Sequence, residues 1–422
     1  MNKIFFVVLD GVADNPLKDL GWKTPLECAK KPFLNKLSEE GVNGSIMLIN
    51  KSIPPQTETG VLSLLGFNPL NYNTGRGPLE AVGMGLRVEK NDLVLRGNLA
   101  TAENGYIIDT EAGRISGKKA EKIIGKLKKI KIRGIKIKIY HSLGYRFLLF
   151  LKSKKLSPYI SSNHPGYERN KYLLEYPRAL RKKMKIKKII PLKRSKDAQF
   201  TADVLNKFIE RAKEILKDEK AANYILLRGA NKGLIKLTNL PKKYGGKWIC
   251  LGDTPVERGI SKLVGMDIAR KYKNPETDKL LKTFKELKKA VRKDCKRTIK
   301  KLKSVLSRYD FFYIHLKGAD AFGHKGMPLH KKKIIEYFDL FFFKPLTKLI
   351  KKGDIIVVTA DHTTSCRYRT HTADPVPVLI FGDSFKPDKI KIFAESQAKR
   401  GRLGRFKAKR LMKIVCGDLK CT

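Results

Sequence analysis

The sequence predicts an α/β fold, in which helices cover both faces of a mostly parallel sheet and an α+β domain is inserted. Short, continuous apolar runs of strand length recur in the first and last parts of the chain. Segments of helical character separate these runs, as in parallel βαβ units. From about residue 87 lysine-rich segments with alternating apolar residues take over, and the α/β rhythm returns near residue 245. We therefore predict a core formed by residues 1–86 and 245–422, and an inserted domain at 87–244.

The first part of the core begins with a βαβ succession. A wholly apolar strand is predicted over Ile4–Leu9, a helix over Pro25–Glu40 and a second strand near Ser45–Ile49. The prolines at the start of PPQTETGVLSLLGFNP, residues 54–69, end that strand. A further helix is predicted to begin at Thr57.

The insertion and the second part of the core differ in pattern. In the insertion, apolar residues alternate with lysines over Ile130–Tyr140 and again in Arg146–Leu151, and a polar loop follows at Ser161–Lys171. The second part of the core contains a long charged helix, predicted over Thr277–Tyr309. Its predicted strands are Trp248–Leu251, Phe311–Leu316, Ile355–Thr359 and Val376–Phe381.

Length and composition indicate a globular protein of two or three domains. With 422 residues and 42% apolar content, the chain can bury a large core. No apolar run reaches the roughly 18 residues that a membrane span needs. The N-terminal apolar run is short and lacks a small-residue cleavage site, so a core strand is expected rather than a signal peptide. The six cysteines show no CxxC pair. We expect a cytoplasmic protein with reduced thiols and no membrane partner.

The net charge of +50, from 90 Lys and Arg against 40 Asp and Glu, raises the question of nucleic-acid binding. Lysines are spread along most of the chain, with peaks at 118–138 and 182–193. The sequence contains no RNP-type aromatic motif, zinc finger or recognisable helix-turn-helix. No specific nucleic-acid partner is expected, although the charge favours loose, salt-sensitive contact with RNA. The same positive field would attract a small anionic substrate such as a phosphate ester.

Acidic residues and histidines concentrate near the ends of the predicted strands. Five of the seven histidines fall between His315 and His371. Such oxygen and nitrogen donors at one edge of a sheet predict a site for two metal ions. Each residue alone could instead be a helix cap or a buried, hydrogen-bonded histidine. The candidate ligands are Asp10, Asp320, His324, Asp361, His362 and His371.

Thr57 is the candidate nucleophile. At the start of a helix, free backbone N–H groups and the helix dipole favour phosphate. A hydroxyl bound there to a metal ion loses its proton readily. The alternative is that Thr57 or Thr59 only caps the helix, with Glu58 in the first turn.

Several stretches, in this order and over nearly the whole length, give the chain its resemblance to a known family. They are VVLDGVAD, TETGVLSLLGFNP, GRGPLEAVGMGL, ENGYIIDTEAGRIS, ADAFGHKG, TADHTTSC, HTADPVPVLI and GRLGRF. The chain resembles the archaeal-type cofactor-independent phosphoglycerate mutases of the alkaline phosphatase superfamily. The resemblance implies an alkaline phosphatase-like three-layer α/β/α core and an insertion that covers the substrate.

The resemblance also assigns roles to the candidate ligands. It implies two divalent ions, of Mn, Zn, Co or Mg. One would be held by Asp320, His324 and His371. The other would be held by Asp10, Thr57, Asp361 and His362.

The chemistry that the resemblance implies is an isomerisation. Thr57 would take the phosphoryl group of 2- or 3-phosphoglycerate as a phosphothreonine, and glycerate would take it back on its other hydroxyl. Arginine suits the binding of carboxylate or phosphate because its planar fork donates two hydrogen bonds. The candidates for substrate binding are Asp109, Arg114, Arg228 and Arg258, each of which could equally be a surface ion-pair residue.

Three positions depart from the pattern that the family usually shows. Thr57 stands where serine is usual, Glu58 where a shorter acid is expected and Arg258 where lysine is usual. Because these residues lie at the reacting centre, the sequence does not decide which phosphate ester is the substrate. A phosphatase, phosphodiesterase or phosphopentomutase-like enzyme with the same metals is the alternative, and a charge-driven role in RNA binding is a third hypothesis.

Overall fold

The computed structural model describes residues 2–72, 75–170, 173–180, 183–269, 275, 277, 281 and 283–417. The chain divides into two compact units. The first contains Met1–Pro69 and Leu237–Thr422, and the second contains Leu70–Lys236. Both observed boundaries lie upstream of the predicted ones at 87 and 244. The second unit begins early because helix Arg76–Gly83 packs on its sheet, so closely that a Cβ at Gly77 would lie 2.4 Å from the carbonyl oxygen of Val94.

The described residues form the following strands. They are β1 (Ile4–Leu9), β2 (Val42–Met47), β3 (Asp92–Glu103), β4 (Tyr106–Asp109), β5 (Lys136–His141), β6 (Arg146–Lys152), β7 (Tyr167–Arg169), β8 (Glu175–Pro177), β9 (Met184–Lys185), β10 (Tyr224–Lys232), β11 (Trp248–Cys250), β12 (Asp267–Ile268), β13 (Phe311–Leu316), β14 (Ile355–Thr359), β15 (Thr363–Ser365), β16 (Thr370–Thr372), β17 (Val376–Phe381) and β18 (Gly404–Lys407).

The α-helices vary from single turns to six turns. They are α1 (Pro25–Cys28), α2 (Pro32–Glu39), α3 (Thr57–Leu64), α4 (Arg76–Gly83), α5 (Gly117–Leu127), α6 (Lys196–Leu216), α7 (Leu240–Tyr244), α8 (Pro255–Leu263), α9 (Phe284–Val305), α10 (Ala319–Lys325), α11 (Pro328–Phe338), α12 (Lys344–Thr347), α13 (Glu395–Ala398) and α14 (Leu411–Cys416). Within the described part of the chain, no helix combines the length and apolar character that crossing a membrane requires.

The first unit is built on an eight-stranded sheet in the order β12-β11-β13-β1-β14-β17-β2-β18. Every neighbouring pair is parallel except the two that β17 makes, so β17 alone runs against the other strands. All six residues of β1 are buried. Because successive side chains of a strand point to opposite faces, both faces of the sheet are covered. The predicted α/β class with a mostly parallel sheet is confirmed.

The register of the central strands aligns their carboxyl ends. Leu9 of β1 pairs with Leu316 of β13, and Val8 pairs with Thr359 of β14. Stacked aromatic rings hold this part of the sheet together, for example Phe5 with Phe312, whose ring centroids are 5.2 Å apart. The residues that follow the three strands therefore meet at one edge of the sheet.

The second unit has a separate antiparallel sheet, in the order β5-β6-β3-β4-β9, with β10 also paired to β3. Helices α5 and α6 bury apolar faces in the same hydrophobic core as this sheet. All strand pairs of this sheet are antiparallel, and α5 and α6 pack on it, as in an α+β domain.

Four predicted strands have the predicted bounds: Ile4–Leu9, Phe311–Leu316, Ile355–Thr359 and Val376–Phe381. The helix predicted over Pro25–Glu40 is two helices. α1 ends at Cys28, and Pro32 begins α2 at a position where its missing N–H removes no hydrogen bond.

Other elements differ from the prediction in position or length. The strand near Ser45–Ile49 is β2, Val42–Met47. Of Ile130–Tyr140, only the part from Lys136 is a strand, because Gly134, with φ of 76°, turns the chain before it. The helix predicted over Thr277–Tyr309 is α9, whose N-cap is Thr283; residues 278–280 and 282 lie outside the described residues.

Candidate metal centre

The loops that follow β1, β13 and β14 lie against one another at the carboxyl edge of the sheet. The N–H of Asp10 donates to the carbonyl of Leu316 over 3.0 Å, and the N–H of Asp320 donates to the carbonyl of Asp10 over 3.1 Å. Gly11 has φ of 57°, and a Cβ there would lie 2.4 Å from Thr364 Oγ1. Glycine therefore permits both the turn after β1 and the close approach of the other loops.

The first cluster consists of Asp320, His324 and His371. Asp320 and His324 are four residues apart on α10, so both side chains lie on one face of the helix. Asp320 Oδ1 lies 3.3 Å from His324 Nε2 and 3.1 Å from His371 Nε2, and the two Nε2 atoms are 3.1 Å apart. Burial raises the pKa of Asp320, but His324 and His371 outweigh it, and the pKa falls well below its usual value.

The second cluster consists of Asp10, His315, Asp361 and His362. The Nε2 atom of His362 lies 3.6 Å from Asp10 Oδ1 and 3.4 Å from Asp361 Oδ2. His315 was not among the predicted ligands, but its Nε2 lies 3.8 Å and 3.6 Å from the same two oxygens. The ligand atoms of Asp10, His315 and Asp361 all lie within 4.8 Å of one another.

Four atoms of the second cluster are buried without a hydrogen-bond partner: Asp10 Oδ1, Asp361 Oδ2, His315 Nε2 and His362 Nε2. A buried polar atom left without a partner costs about 1–3 kcal/mol. Two carboxylate oxygens and two imidazole nitrogens that converge in this way form a donor set for a divalent cation. The residues therefore fit a bound metal ion.

The two carboxyl groups of the second cluster have pKa values shifted in opposite directions. Burial and the nearby Asp10 charge raise the pKa of Asp361 well above its usual value. Burial also raises the pKa of Asp10, but Lys317 and His315 outweigh it, and the net shift is downward. Lys317 Nζ lies 3.0 Å from Asp10 Oδ2 and 3.0 Å from Glu257 Oε1. At this separation the negative charges of Asp10 and Asp361 repel each other, and a cation bound between them would offset that repulsion.

Thr57 lies in a segment that contacts both clusters. His371 Nδ1 donates to the carbonyl of Pro55 over 2.7 Å. Three residues after Thr57, a Cβ at Gly60 would lie 1.8 Å from the carbonyl oxygen of Asp361, so only glycine lets α3 come this close. Thr57 itself is buried.

The structure separates the two threonines that sequence reasoning left as possible caps. Gln56 is the N-cap of α3, so Thr57 is not the cap. Thr59 Oγ1 accepts from the N–H of Gln56 over 2.8 Å and donates to its carbonyl. The Thr59 hydroxyl thus completes the cap that begins at Gln56, and the Thr57 hydroxyl is not used in this way.

A buried ion pair supports the edge of the sheet beneath the clusters. Lys331 Nζ lies 2.9 Å from Asp14 Oδ2 and donates to the carbonyls of Ala13 and Thr364, and both charged side chains are fully buried. Asp14 Oδ1 also accepts from the N–H of Cys366. The pair joins the loop after β1 to β15, which follows His362.

Of the predicted substrate-binding residues, Arg258 belongs to the first unit and the other three to the second. Arg258 is buried on α8, next to Glu257. In the second unit, Asp109 accepts from the N–H groups of Glu111 and Gly113, and Arg114 pairs with Glu111 over 2.6 Å. Asp109 and Arg114 thus have structural partners of their own.

Arg228 lies in a cluster of buried arginines that sequence reasoning did not single out. Its guanidinium donates to Glu175 over 2.7 Å and lies 3.8 Å from the ring centroid of Tyr167. Arg96 and Arg76 both pair with Glu80; burial raises the pKa of Glu80, but these charges bring it down to about 2. Arg76 lies in the stretch GRGPLEAVGMGL, one of the motifs shared with the family, and this motif could have pointed to the arginine cluster.

Fold and site together define an α/β protein with two carboxylate–imidazole clusters, one partly exposed and one buried, of the kind that bind divalent metals. A family model described as 2,3-bisphosphoglycerate-independent phosphoglycerate mutase matches residues 38–222. Relatives with that name include one from Methanosphaera stadtmanae, 35% identical over 98% of this chain and 97% of its own length. Another, designated mutase 1, from Methanocaldococcus jannaschii, is 33% identical over 98% and 96%. The chain belongs to the 2,3-bisphosphoglycerate-independent phosphoglycerate mutases.

Two solved structures resemble the chain over nearly its whole length. A protein from Pyrococcus horikoshii matches with a TM-score of 0.75 and 25% identity, covering 100% of this chain and 98% of the other. The cofactor-independent phosphoglycerate mutase from Thermoplasma acidophilum matches with a TM-score of 0.57 and 27% identity, covering 99% of each chain. The similarity therefore includes both units.

Proposed function

We propose that this protein interconverts 2-phosphoglycerate and 3-phosphoglycerate through a phosphothreonine at Thr57, without added 2,3-bisphosphoglycerate. The observation that carries the proposal is the placement of the Pro55–Gly60 segment, which holds Thr57, against residues of both clusters. Family membership over nearly the whole chain supports the same activity.

Two divalent cations are part of the proposal. Bound ions at this edge would stabilise the charge on the attacking and leaving oxygens of a phosphoryl transfer. The mixed carboxylate and imidazole donors accept Mn, Zn, Co or Mg. The proposed ligands are Asp320, His324 and His371 for one ion, and Asp10, Thr57, Asp361 and His362 for the other.

The reaction consists of two transfers of the same phosphoryl group. In the first, Thr57 Oγ1 attacks phosphorus, the bond from phosphorus to the glycerate oxygen breaks, and that oxygen takes up the proton that the threonine releases. In the second, the other hydroxyl of glycerate attacks the phosphothreonine, and Thr57 regains a proton. The first turn of α3 presents backbone N–H groups that favour the phosphate.

Substrate recognition needs groups that bind the glycerate carboxylate. Arg258, Arg228, Arg114 and Asp109 stay predictions for this role. The net charge of +50 favours the approach of a small anionic ester. The expected location of the enzyme is the cytoplasm.

An enolase-linked assay tests the proposal. Purified protein is given 3-phosphoglycerate and Mn²⁺ without bisphosphoglycerate, and free phosphate is measured in the same sample. Phosphoenolpyruvate formation with little phosphate release is the expected result. Release of phosphate alone would contradict the mutase and identify a hydrolase, and no product in either assay would direct the search to phosphopentoses and other esters.

A further inference from the structure

We propose that His315 is a direct ligand of the cation in the second cluster, beside Asp10, Asp361 and His362. The proposal rests on the two-cation site proposed above and adds a ligand to it. His315 lies on β13, where it pairs with Val8 of β1, so its ring is next to the loop that begins at Asp10. Its side chain is completely buried.

One ring nitrogen of His315 has no hydrogen-bond partner. His315 Nε2 is buried, has no hydrogen-bond partner, and is directed at Asp10 Oδ1 and Asp361 Oδ2, which have none either. A histidine that only filled space in the core would be expected to satisfy both of its nitrogens. The ligand atoms of Asp10, His315 and Asp361 all lie within 4.8 Å of one another, so one cation can satisfy all three. His362 Nε2 lies 3.6 and 3.4 Å from the same two carboxylate oxygens.

The distances within the second cluster are those expected of metal ligands. Ligand atoms that share one metal ion through bonds of about 2.1 Å lie roughly 3–3.5 Å apart. The four separations between the two imidazole Nε2 atoms and the two carboxylate oxygens are 3.4, 3.6, 3.6 and 3.8 Å. These separations are longer than ordinary hydrogen bonds and close to the spacing of ligand atoms around one metal ion.

The second nitrogen of the His315 ring fixes the orientation of the ring. His315 Nδ1 lies 3.0 Å from the hydroxyl of Tyr313 and 3.5 Å from Glu257 Oε1. Metal-binding histidines commonly direct their second nitrogen at a carboxylate, which fixes the ring and its tautomer. Lys317 pairs with Glu257 and with Asp10 Oδ2, so the other carboxylate oxygen, Asp10 Oδ1, is directed at the cluster. We infer that Glu257 and Lys317 position the ligands.

His371, His324 and His362 show the same arrangement. Their Nδ1 atoms lie 2.7 Å from the carbonyl of Pro55, 3.2 Å from the carbonyl of Arg369 and 2.9 Å from Thr364 Oγ1, respectively. In each case Nε2 is directed into a cluster. His315 is thus the fourth histidine with a held Nδ1 and an Nε2 directed at carboxylates.

Cobalt titration of His315→Gln tests the proposal. Wild type is expected to bind two equivalents of Co²⁺, and the variant to bind the second equivalent at least about tenfold more weakly with an altered visible absorption band. His164→Gln is the matched control, because His164 is a buried histidine of the second unit. It should keep both equivalents. Two equivalents with wild-type affinity and an unchanged spectrum in His315→Gln would overturn the proposal.

A second measurement needs no substitution at His315, and so holds even if that variant does not fold. In wild-type protein with ¹⁵N-labelled histidine and two bound equivalents of ¹¹³Cd²⁺, four imidazoles should show ¹¹³Cd–¹⁵N coupling. Three or fewer would overturn the assignment. If the enolase-linked assay fails but four imidazoles are coupled, the mutase activity is contradicted and His315 remains a ligand. If the wild-type protein binds no cation, both proposals are overturned.

Discussion

The Nδ1 atom of His371 donates a hydrogen bond to the main-chain carbonyl of Pro55 over 2.7 Å. Because a carbonyl can only accept, Nδ1 carries the proton and Nε2 of the neutral ring keeps its lone pair. That Nε2 lies 3.1 Å from Asp320 Oδ1. One imidazole therefore presents a ligand atom to the first cluster and holds the segment that leads to Thr57.

Thr57→Ala should abolish turnover, because the variant lacks the oxygen that receives the phosphoryl group. Metal content should stay near wild type, since the other ligands remain. The measurement is the enolase-linked assay together with elemental analysis of the same sample. Activity that survives in Thr57→Ala would remove Thr57 from the mechanism.

Two variants serve as controls for this change. Thr57→Ser keeps the hydroxyl and should retain measurable activity. Thr59→Ala removes the cap of the same turn, so it should lower the free energy of unfolding by about 1 kcal/mol while turnover persists. Equal loss of activity in Thr57→Ala and Thr59→Ala would indicate a folding effect.

His324→Ala should lower the amount of bound metal, because two of the three side chains of the first cluster then remain. Elemental analysis after dialysis against a metal-buffered solution measures this. His330→Ala is the control, since His330 lies in the same histidine-rich stretch but packs against the rings of Phe284 and Phe322. Unchanged stoichiometry in His324→Ala would contradict its role as a ligand.

The strands of the central sheet could be predicted because a continuous apolar run of five or six residues is the length of a buried strand. β1, β13 and β14 were found in this way. The antiparallel direction of β17 could not be predicted, because a strand buried on both faces has the same composition in either direction. The boundary at Leu70 was missed because α4 joins the second unit through packing, which sequence patterns do not report.

The site could be predicted only in part, for a similar reason. Asp320 and His324, and likewise Asp361 and His362, stand out as acid–histidine pairs that follow apolar runs. His315 stands inside such a run, FFYIHL, where one polar residue resembles an ordinary core position. Its role depends on pairing with β1, and strand order is a property of the whole fold.

Lys331→Met should destabilise the protein by about 3–5 kcal/mol, because it leaves the fully buried charge of Asp14 without its partner. Lys333→Met is the matched control on the same helix, since Lys333 pairs with Glu336 while more than a third exposed, and such pairs contribute at most about 1 kcal/mol. Urea unfolding of the two variants measures the difference. Similar losses in both would contradict the importance of the buried pair.

Glu395 should make stability depend on pH. Burial raises its pKa from 4.5 to about 7, although Thr24 and the N–H of Asp14 donate hydrogen bonds to it. The native state therefore holds the proton more tightly than the unfolded chain, and its stability falls as pH rises from about 4.5 to about 7. The loss is at most about 3 kcal/mol. Glu395→Gln should remove this part of the fall, measured by unfolding at pH 5 and pH 7.5.

The control for this prediction is Glu39→Gln, which changes an exposed glutamate of α2. It should leave the difference in unfolding free energy between the two pH values as in wild type. If Glu395→Gln and Glu39→Gln have the same pH profile, the buried carboxyl does not titrate in this range.

Gly60→Ala should reduce activity strongly although it adds only one methyl group. The added Cβ would lie 1.8 Å from the carbonyl oxygen of Asp361, so α3 or the loop after β14 must move by more than 1 Å. A displacement of about 1 Å between reacting groups can reduce the rate about 100-fold. Gly125→Ala is the matched helical control, since nothing lies within 4 Å of its Cβ and alanine favours a helix interior. We expect kcat/KM to fall in Gly60→Ala and to stay at the wild-type value in Gly125→Ala. Wild-type kcat/KM in both variants would show that the close approach of α3 to Asp361 is not needed for phosphoryl transfer.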